Sequence, residues 1–247
     1  MITTHQQLST DNVFAGILGQ EYHSLIEICP LAAKMSQLVG NAVAEYSRHP
    51  FGNLQIVELG GGTGITTLAI LLATQQATIL SIDNAPAMQN QAKLRLQIWI
   101  EQQRLAFVMN DALSALKQIA TASIDIIATA YTLHNFELNY RAQVIKEIFR
   151  VLKSGGQFIN GDRYALNDSA AHTTCVQQEL AGYFKVFIAQ QRLDLLEQWT
   201  LHLFADESAH HLMREQVALE ELKQVGFSAI QLSHREQVNA LVSAIKP

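Results

Sequence analysis

The sequence has little cysteine, proline or glycine and no long apolar run, and each scarcity excludes a class of protein. The 247 residues include two cysteines, Cys29 and Cys175. Their contexts are unrelated, so neither a disulfide framework nor a zinc knuckle is indicated. Thirteen glycines and four prolines fit an ordinary core-forming protein, and no low-complexity tract is present. No uninterrupted apolar run approaches the roughly 18 residues of a membrane span.

An excess of positive charge is also missing. The chain carries 17 Lys and Arg against 22 Asp and Glu, a formal net charge of −5, so it has no global field that would hold DNA or RNA. We therefore expect a small-molecule partner, with neither nucleic acid nor membrane as a direct partner. The opening stretch MITTHQQLST lacks the basic start and apolar core of a secretory signal, which predicts a cytoplasmic protein.

The residues that are abundant indicate a globular α/β fold. Apolar spacing predicts two helices over residues 11–46, broken at Pro30, a helix from Pro86 to about Gln103, and another over 139–152 ended by Gly155 and Gly156. Strands are predicted at residues 54–59, 77–83, 105–111, 123–133, 157–162, 228–234 and 237–246. This alternation predicts a doubly wound, mostly parallel seven-stranded sheet with helices on both faces.

The same pattern suggests four regions. Residues 1–53 are expected to form an N-terminal helical cap, 54–161 the ligand-binding α/β core, 162–215 a helical insertion, and 216–247 a closing helix with two strands of the same sheet. The aromatic residues Tyr183, Phe184, Phe187 and Trp199 of the insertion could form a lid, a homodimer contact or a cover over the sheet.

A glycine-rich loop follows the first predicted strand, where open α/β sheets bind ligands. Starting from Gly60 and Gly62, the third position of a dinucleotide fingerprint is Ile65, so that motif is not matched. A phosphate-binding Walker loop needs a lysine, and residues 54–92 contain none. Glycines permit positive φ and remove the Cβ that would collide with a close ligand.

The spacing Glu58-x-Gly60-x-Gly62-x-Gly64 resembles the first motif of class I S-adenosylmethionine-dependent methyltransferases. The resemblance implies S-adenosylmethionine as cofactor, with the glycines against its methionine moiety. Asp83, followed by Asn84, matches the acid that accepts hydrogen bonds from the ribose hydroxyls. Asp111 matches the acid near the adenine amino group, and Asn110 and Ala112 would flank the base.

Each of these acids also has a purely structural interpretation. Glu58 could orient the loop through its N–H groups, Asp83 could be a turn residue, and Asp111 could cap the helix that follows it.

Three stretches narrow the resemblance to carboxy-S-adenosylmethionine synthases: CPLAAKMSQLVGNAVAEY, IDNAPAM and IAQQRLDLLEQ. Arg192 falls on that family's arginine that binds the added carboxylate, or it could pair with Asp194 or Glu197 on a helix surface. Two positions depart from the family: Ala32 replaces a ligand-contacting tyrosine and Ala130 a cleft asparagine. Losing both polar contacts argues against the same substrate.

The sequence therefore favours a methyltransferase that acts on a small-molecule acceptor by in-line methyl transfer. The alternatives are a carboxy-S-adenosylmethionine synthase-like enzyme and a catalytically silent cofactor-binding subunit. His134 is the candidate general base because its ordinary pKa of roughly 6.5 lies near working pH. Tyr131 is a second catalytic candidate, and Tyr164 could line the acceptor pocket. His134 could equally pack or cap a turn, and the two tyrosines could equally be framework.

No metal is expected. His202, Asp206 and His210 are spaced by four, which would place them on one face of a continuous helix. The stretch FADESAHH more plausibly contains a helix break.

Overall fold

The computed structural model describes residues 30–48 and 52–247. Its seven strands form one sheet in the order β3-β2-β1-β4-β5-β7-β6. Strands β1 to β5 pair in parallel, whereas β7 is antiparallel to both of its neighbours. The strands are β1 (Leu54–Leu59), β2 (Ala77–Asp83), β3 (Leu105–Met109), β4 (Ile124–Ala130), β5 (Leu152–Arg163), β6 (Ser228–Glu236) and β7 (Asn239–Ile245). The predicted α/β fold with a mostly parallel seven-stranded sheet is confirmed.

Helices precede, connect and cover the strands. They are α1 (Pro30–Tyr46), α2 (Ile65–Ala73), α3 (Pro86–Arg95), α4 (Gln97–Glu101), α5 (Ala112–Gln118), α6 (Leu138–Val151), α7 (Ser169–Ala189), α8 (Leu193–Asp206) and α9 (Glu215–Val225). A single turn of 3-10 helix, Leu133–Asn135, follows β4. The helix expected before Pro30 lies outside the described residues. None of the described helices combines the length and apolarity that crossing a membrane requires.

Apolar layers cover both faces of the sheet. One cluster joins inward residues of β4, β5 and β7 to α5, α6 and α9, and the other joins β1, β2 and β4 to α1 and α2. Strand β4 is almost entirely buried, as expected for a strand covered on both faces. A third, smaller cluster lies between α7 and α8 and contains Tyr183, Phe187 and Trp199, whereas Phe184 is half-exposed.

The order of the strands fixes where a ligand can enter. From β1 the chain builds outward through β2 and β3, then returns to place β4 on the other side of β1. The strand order therefore reverses between β1 and β4, and their carboxyl ends open a crevice. The glycine loop after β1 and the turn after β4 border it.

One predicted helix end is wrong, and one predicted helix is interrupted. Helix α6 does not end in a glycine cap: it stops at Val151, and Leu152 begins β5 directly. Lys246 Nζ instead donates to the carbonyls of Phe149, Arg150 and Leu152, which satisfies the free carbonyls at the end of the helix. The helix predicted from Pro86 to about Gln103 is interrupted at Leu96, whose buried side chain packs under the glycine loop.

Candidate functional site

A cleft of about 860 Å³, including the space open to solvent, lies at the carboxyl ends of β1, β2 and β4. The residues that line it are Ser36, Gly60, Gly61, Gly62, Thr63, Ile65, Thr66, Asp83, Asn84, Ala85, Met88, Ala130, Tyr131, Thr132, Asn135 and Phe136. The structure therefore brings the glycine loop, the acid after β2 and the end of β4 into one cavity.

Two glycines of the loop are required largely because the protein itself fills the space around them. Gly60 has φ +69, and a Cβ there would lie 2.1 Å from Thr132 Oγ1. Gly64 begins α2 with φ +86, and its Cβ would lie 2.8 Å from Leu96 Cδ1. Positive φ favours glycine at both positions, and the neighbouring side chains exclude anything larger.

Asp83 links the second strand to this loop. Its Oδ2 accepts the N–H of Gly62 at 2.7 Å and its Oδ1 accepts the N–H of Ala85 at 2.7 Å. Burial raises the pKa of Asp83, although both hydrogen bonds act in the opposite direction. Each carboxylate oxygen can accept a second bond, and Asp83 and Asn84 both line the cleft. Asp83 thus holds the loop and still presents acceptor oxygens to a ligand.

Glu58 lies beneath the loop rather than in the cleft. Its side chain is fully buried, and Oε2 accepts hydrogen bonds from Thr67 Oγ1 at 2.6 Å and Ser81 Oγ at 2.7 Å. Its Oε1 has no hydrogen-bond partner among the described residues. Burial raises the pKa of Glu58 to about 7, against the lowering effect of the two hydroxyl groups. Glu58 was expected to accept hydrogen bonds from N–H groups of the loop. It accepts them instead from the hydroxyl groups of Thr67 in α2 and Ser81 in β2.

The residues after β3 form a helix cap. Asp111 Oδ1 accepts the Ser114 N–H at 2.9 Å and the Tyr140 hydroxyl at 2.8 Å, and Asn110 Oδ1 accepts the Asp111 N–H at 2.9 Å. Burial acts to raise the pKa of Asp111, but the hydrogen bonds outweigh it and hold the pKa below its usual value. Ala112 is the first residue of α5. These residues lie after the strand adjacent to β2 and are outside the lining of the cleft.

Tyr131, the first residue after β4, has an unusual backbone conformation. Its φ is +49, a region that residues with a side chain seldom adopt. The hydroxyl donates to Asn239 Oδ1 at 2.7 Å, which connects the cleft wall to β7. The strand predicted to continue to Leu133 therefore stops at Ala130, and the reversal presents Tyr131, Asn135 and Phe136 to the cleft.

His134 does not face the cleft. It is 5% exposed, and its Nδ1 lies 2.5 Å from Asp162 Oδ1. Burial acts to lower the pKa of His134, but the carboxylates of Asp162 and Asp206 outweigh it, so the pKa is raised. The Tyr131 ring packs edge-on against the imidazole, with 6.1 Å between centroids. This placement contradicts a base that contacts an acceptor in the cleft, since the ring is enclosed by protein.

Tyr164 and Arg192 also lie away from the cleft. Tyr164 is 2% exposed in the core between β5 and α9, and its hydroxyl accepts from Asn160 Nδ2 at 2.8 Å. Arg192 forms a two-pronged ion pair with Asp194 at the start of α8. The surface pairing considered for Arg192 is therefore present, and Tyr164 lacks the exposure that a substrate contact requires.

The structure brings together three side chains with metal-binding atoms, and the sequence spacing identified only two of them. His202 and Asp206 share a face of α8, but the third member is His134, not His210. Helix α8 ends at Asp206, and His210 is exposed in the turns that follow. No periodicity could have linked residue 134 to 202, since they approach only through the packing of α8 on the end of β4.

Comparison with known proteins agrees with this architecture. Residues 57–160 match the methyltransferase domain family, and the matched stretch contains the glycine loop, Asp83 and the end of β4. The domain match, the fold and the cleft together support assignment to the class I S-adenosylmethionine-dependent methyltransferase superfamily. The cofactor of the superfamily is S-adenosylmethionine.

Individual relatives divide into two groups. A demethylmenaquinone methyltransferase of Leptospira interrogans is 31% identical over 120 residues, which is 49% of this chain and 47% of that protein, so the chain spans about half the length of this relative. A carboxy-S-adenosyl-L-methionine synthase of Hydrogenovibrio crunogenus is 25% identical and covers 84% of this chain and 78% of that protein. An O-methyltransferase family protein from Burkholderia thailandensis shares the fold, with a TM-score of 0.65 at 15% identity over 98% of this chain and 64% of that chain.

Proposed function

We propose that the chain is an S-adenosylmethionine-dependent methyltransferase that acts on a small-molecule acceptor. The observation that carries the proposal is the convergence of the glycine loop, Asp83 and the reversed end of β4 on one cleft. The methionine moiety would lie along Gly60 and Gly62, and the ribose hydroxyls would donate to Asp83. Asn84 would lie beside the ribose, and the adenine would extend toward Asn110, Asp111 and Ala112 after β3.

The neighbouring wall suits a small acceptor. Tyr131, Asn135 and Phe136 lie across the cleft from Asp83 and offer aromatic surface with one amide group. In the reaction, a lone pair of the acceptor forms a bond to the methyl carbon while the carbon–sulfur bond breaks and its electrons pass to sulfur. The enzyme's main contribution would be to align the nucleophile, methyl and sulfur. Tyr131, Asn135 and Phe136 would position the acceptor.

Binding and transfer can be tested separately. Calorimetry should show one molecule of S-adenosylmethionine bound per chain, and Asp83→Asn should weaken this binding. Incubation with the methyl-labelled cofactor and a small-molecule cell extract should then transfer label to a low-mass product. Failure of the wild-type chain to bind the cofactor would contradict the proposal. Binding without transfer to any acceptor would favour the silent subunit.

A second candidate is an enzyme similar to the carboxy-S-adenosylmethionine synthases, favoured by the coverage of the Hydrogenovibrio crunogenus relative. Two features weigh against it. Arg192 is paired with Asp194 at the surface, and the cleft presents the apolar Ala130 at the end of β4. Mass spectrometry of the ligand carried through purification separates the two functions, since the carboxylated sulfonium is heavier by the mass of carbon dioxide.

A further inference from the structure

Three side chains with metal-binding atoms meet behind the cleft wall. The nitrogens of His134 and His202 and a carboxylate oxygen of Asp206 all lie within 4.8 Å of one another. His134 Nε2 and His202 Nε2 each lie 3.7 Å from Asp206 Oδ2. His202 and Asp206 are one turn apart on α8, and His134 belongs to the 3-10 turn after β4. The group therefore joins the insertion to the core.

The separations suit a tetrahedral ion. Zinc binds histidine nitrogen and carboxylate oxygen at about 2.0–2.2 Å, which places neighbouring ligand atoms about 3.4 Å apart. The two separations of 3.7 Å from Asp206 Oδ2 need only a small inward movement to reach that value, and the two imidazole nitrogens lie within 4.8 Å of each other. A small pocket borders His134 and Asp206, on the side from which a fourth ligand would approach.

His134 is held in the orientation that a ligand needs. Its Nδ1 is bonded to Asp162 Oδ1, which directs Nε2 toward Asp206 and His202. Asp162 is itself fixed by the N–H groups of Leu133 at 2.9 Å and Arg163 at 2.8 Å. A carboxylate that supports a metal-binding histidine from its far nitrogen is the usual outer-shell arrangement in zinc sites.

Several acidic side chains also surround the group. Four carboxylates lie in this region: Asp162, Asp206, Glu179 and Glu207. Arg163 donates to Glu179 at 2.7 Å and to Glu207 at 3.3 Å. His172 also pairs with Glu207, and His134 pairs with Asp162. Arg163 Nε lies 3.9 Å from Asp206 Oδ2, beyond hydrogen-bonding distance. The ion-pair partners of Asp206 among the described residues all lie at 3.7 Å or more, so a bound cation would neutralise this carboxylate at closer range.

We propose that His134, His202 and Asp206 bind one divalent transition-metal ion of the zinc type, with water as the fourth ligand. Two imidazoles and one carboxylate suit Zn²⁺ better than Mg²⁺ or Ca²⁺, which take oxygen ligands. The ion clamps α8 onto the turn that carries Tyr131 and Asn135 into the cleft. It therefore stabilises the cleft wall and takes no part in the chemistry at the sulfonium.

The test uses the full chain after removal of metal by a chelator. Calorimetric titration with Zn²⁺ alone should show one ion bound per chain and a rise in the melting temperature. Since loss of an outer-shell partner already costs 10–100-fold in affinity, His202→Ala should weaken Zn²⁺ binding by at least about 100-fold. His210→Ala, which removes an exposed histidine from the same region, should bind Zn²⁺ as tightly as the wild type.

A second variant keeps the test decisive if His202→Ala does not fold. In His202→Cys a thiolate replaces the imidazole, so Co²⁺ bound there should gain a sulfur-to-metal charge-transfer absorption that the wild type lacks. His172→Cys, which changes a nearby buried histidine bonded to Glu207, should not produce this band. Absence of saturable Zn²⁺ binding by the wild type, or absence of the band in His202→Cys, would overturn the proposal.

Discussion

Two regions of the molecule are stabilised by different kinds of interaction: the cofactor side, around the glycine loop, and the insertion side, where α7 and α8 pack on the end of β5. Around the glycine loop, the deciding features are backbone angles and close packing, such as Gly60 at φ +69 against Thr132. Where α7 and α8 meet the end of β5, the deciding features are buried charges, with Arg163 between Glu179 and Glu207. The first region leaves an open cleft, whereas the second encloses its polar groups in protein.

This contrast separates binding from stability. Changes on the cofactor side should alter ligand affinity, or both affinity and stability, because the loop is at once a core element and a wall of the cleft. Changes on the insertion side should alter stability and leave cofactor affinity nearly unchanged. The predictions below test that separation, from the largest expected effect to the smallest.

Replacing Gly60 by Ala should be the most damaging change. The added Cβ must overlap Thr132 Oγ1 while the backbone keeps a positive φ, which together should cost about 3–4 kcal/mol of unfolding free energy. Gly155→Ala is the matched control, because φ there is +78 but no atom lies within 4 Å of the new Cβ. It should cost only about 1–2 kcal/mol. Equal losses in denaturant titrations would mean that packing at the loop is unimportant.

Glu58 should make stability depend on pH. Its pKa of about 7 in the folded state lies above the ordinary value of 4.5, so the folded state retains a proton that the unfolded state releases. The resulting contribution is complete below about pH 4.5 and is lost as the pH rises through about 7. Relative to Glu58→Gln, the wild type should lose up to about 3 kcal/mol of unfolding free energy between about pH 5 and 8. If the difference in unfolding free energy between the wild type and Glu58→Gln stayed constant across this pH range, the raised pKa of Glu58 would be contradicted.

Asp83→Asn should weaken S-adenosylmethionine binding by about 1.5–3 kcal/mol, as expected for loss of charged hydrogen bonds. Asp125→Asn is the control. Asp125 lies near the amino end of β4, at the opposite end of the strands from the cleft, where it accepts the Gln55 N–H and pairs with Lys153. This variant should leave calorimetric affinity unchanged. Similar affinities in the two variants would remove Asp83 from the site.

Glu179→Ala should lower the unfolding free energy by about 2 kcal/mol, since Arg163 loses one buried partner and keeps Glu207. Cofactor affinity should remain within about twofold of the wild type, because Glu179 does not line the cleft. A tenfold loss of affinity would correspond to about 1.4 kcal/mol. Glu197→Ala, which removes an exposed acid of α8, should change neither quantity. A large loss of affinity in Glu179→Ala would break the separation between the two sides.

Tyr131→Phe should have the smallest effect. It removes the hydrogen bond to Asn239 and should cost about 1 kcal/mol of unfolding free energy. The aromatic wall remains, so cofactor affinity should not change. A weakened affinity measured by calorimetry would indicate that the hydroxyl fixes the whole cleft and not the acceptor side alone.

The same contrast explains what the sequence could predict. Gly60, Gly62 and Asp83 stand at the ends of consecutive strands, so local spacing was enough to place them at one edge of the sheet. The seven strands followed from apolar runs for the same reason. The end of α6 was wrong because Lys246, almost a hundred residues away, supplies the cap that the glycines were expected to provide.

The insertion side was harder to predict because its contacts join distant residues. His134 has the residue type of a base, but Asp162 and α8 turn it away from the cleft. Glu58 was correctly placed near the loop, while its hydroxyl partners Thr67 and Ser81 depend on how α2 and β2 pack. Spacing alone also chose His210 as a partner of His202 and Asp206, because nothing local reveals the approach of His134.

A crystal structure of the chain with bound S-adenosylhomocysteine tests the central claim most directly. The account predicts ribose hydroxyls within hydrogen-bonding distance of Asp83 and the amino-acid moiety against Gly60 and Gly62. A ligand lodged elsewhere, with Asp83 bonded only to the N–H groups of Gly62 and Ala85, would contradict it.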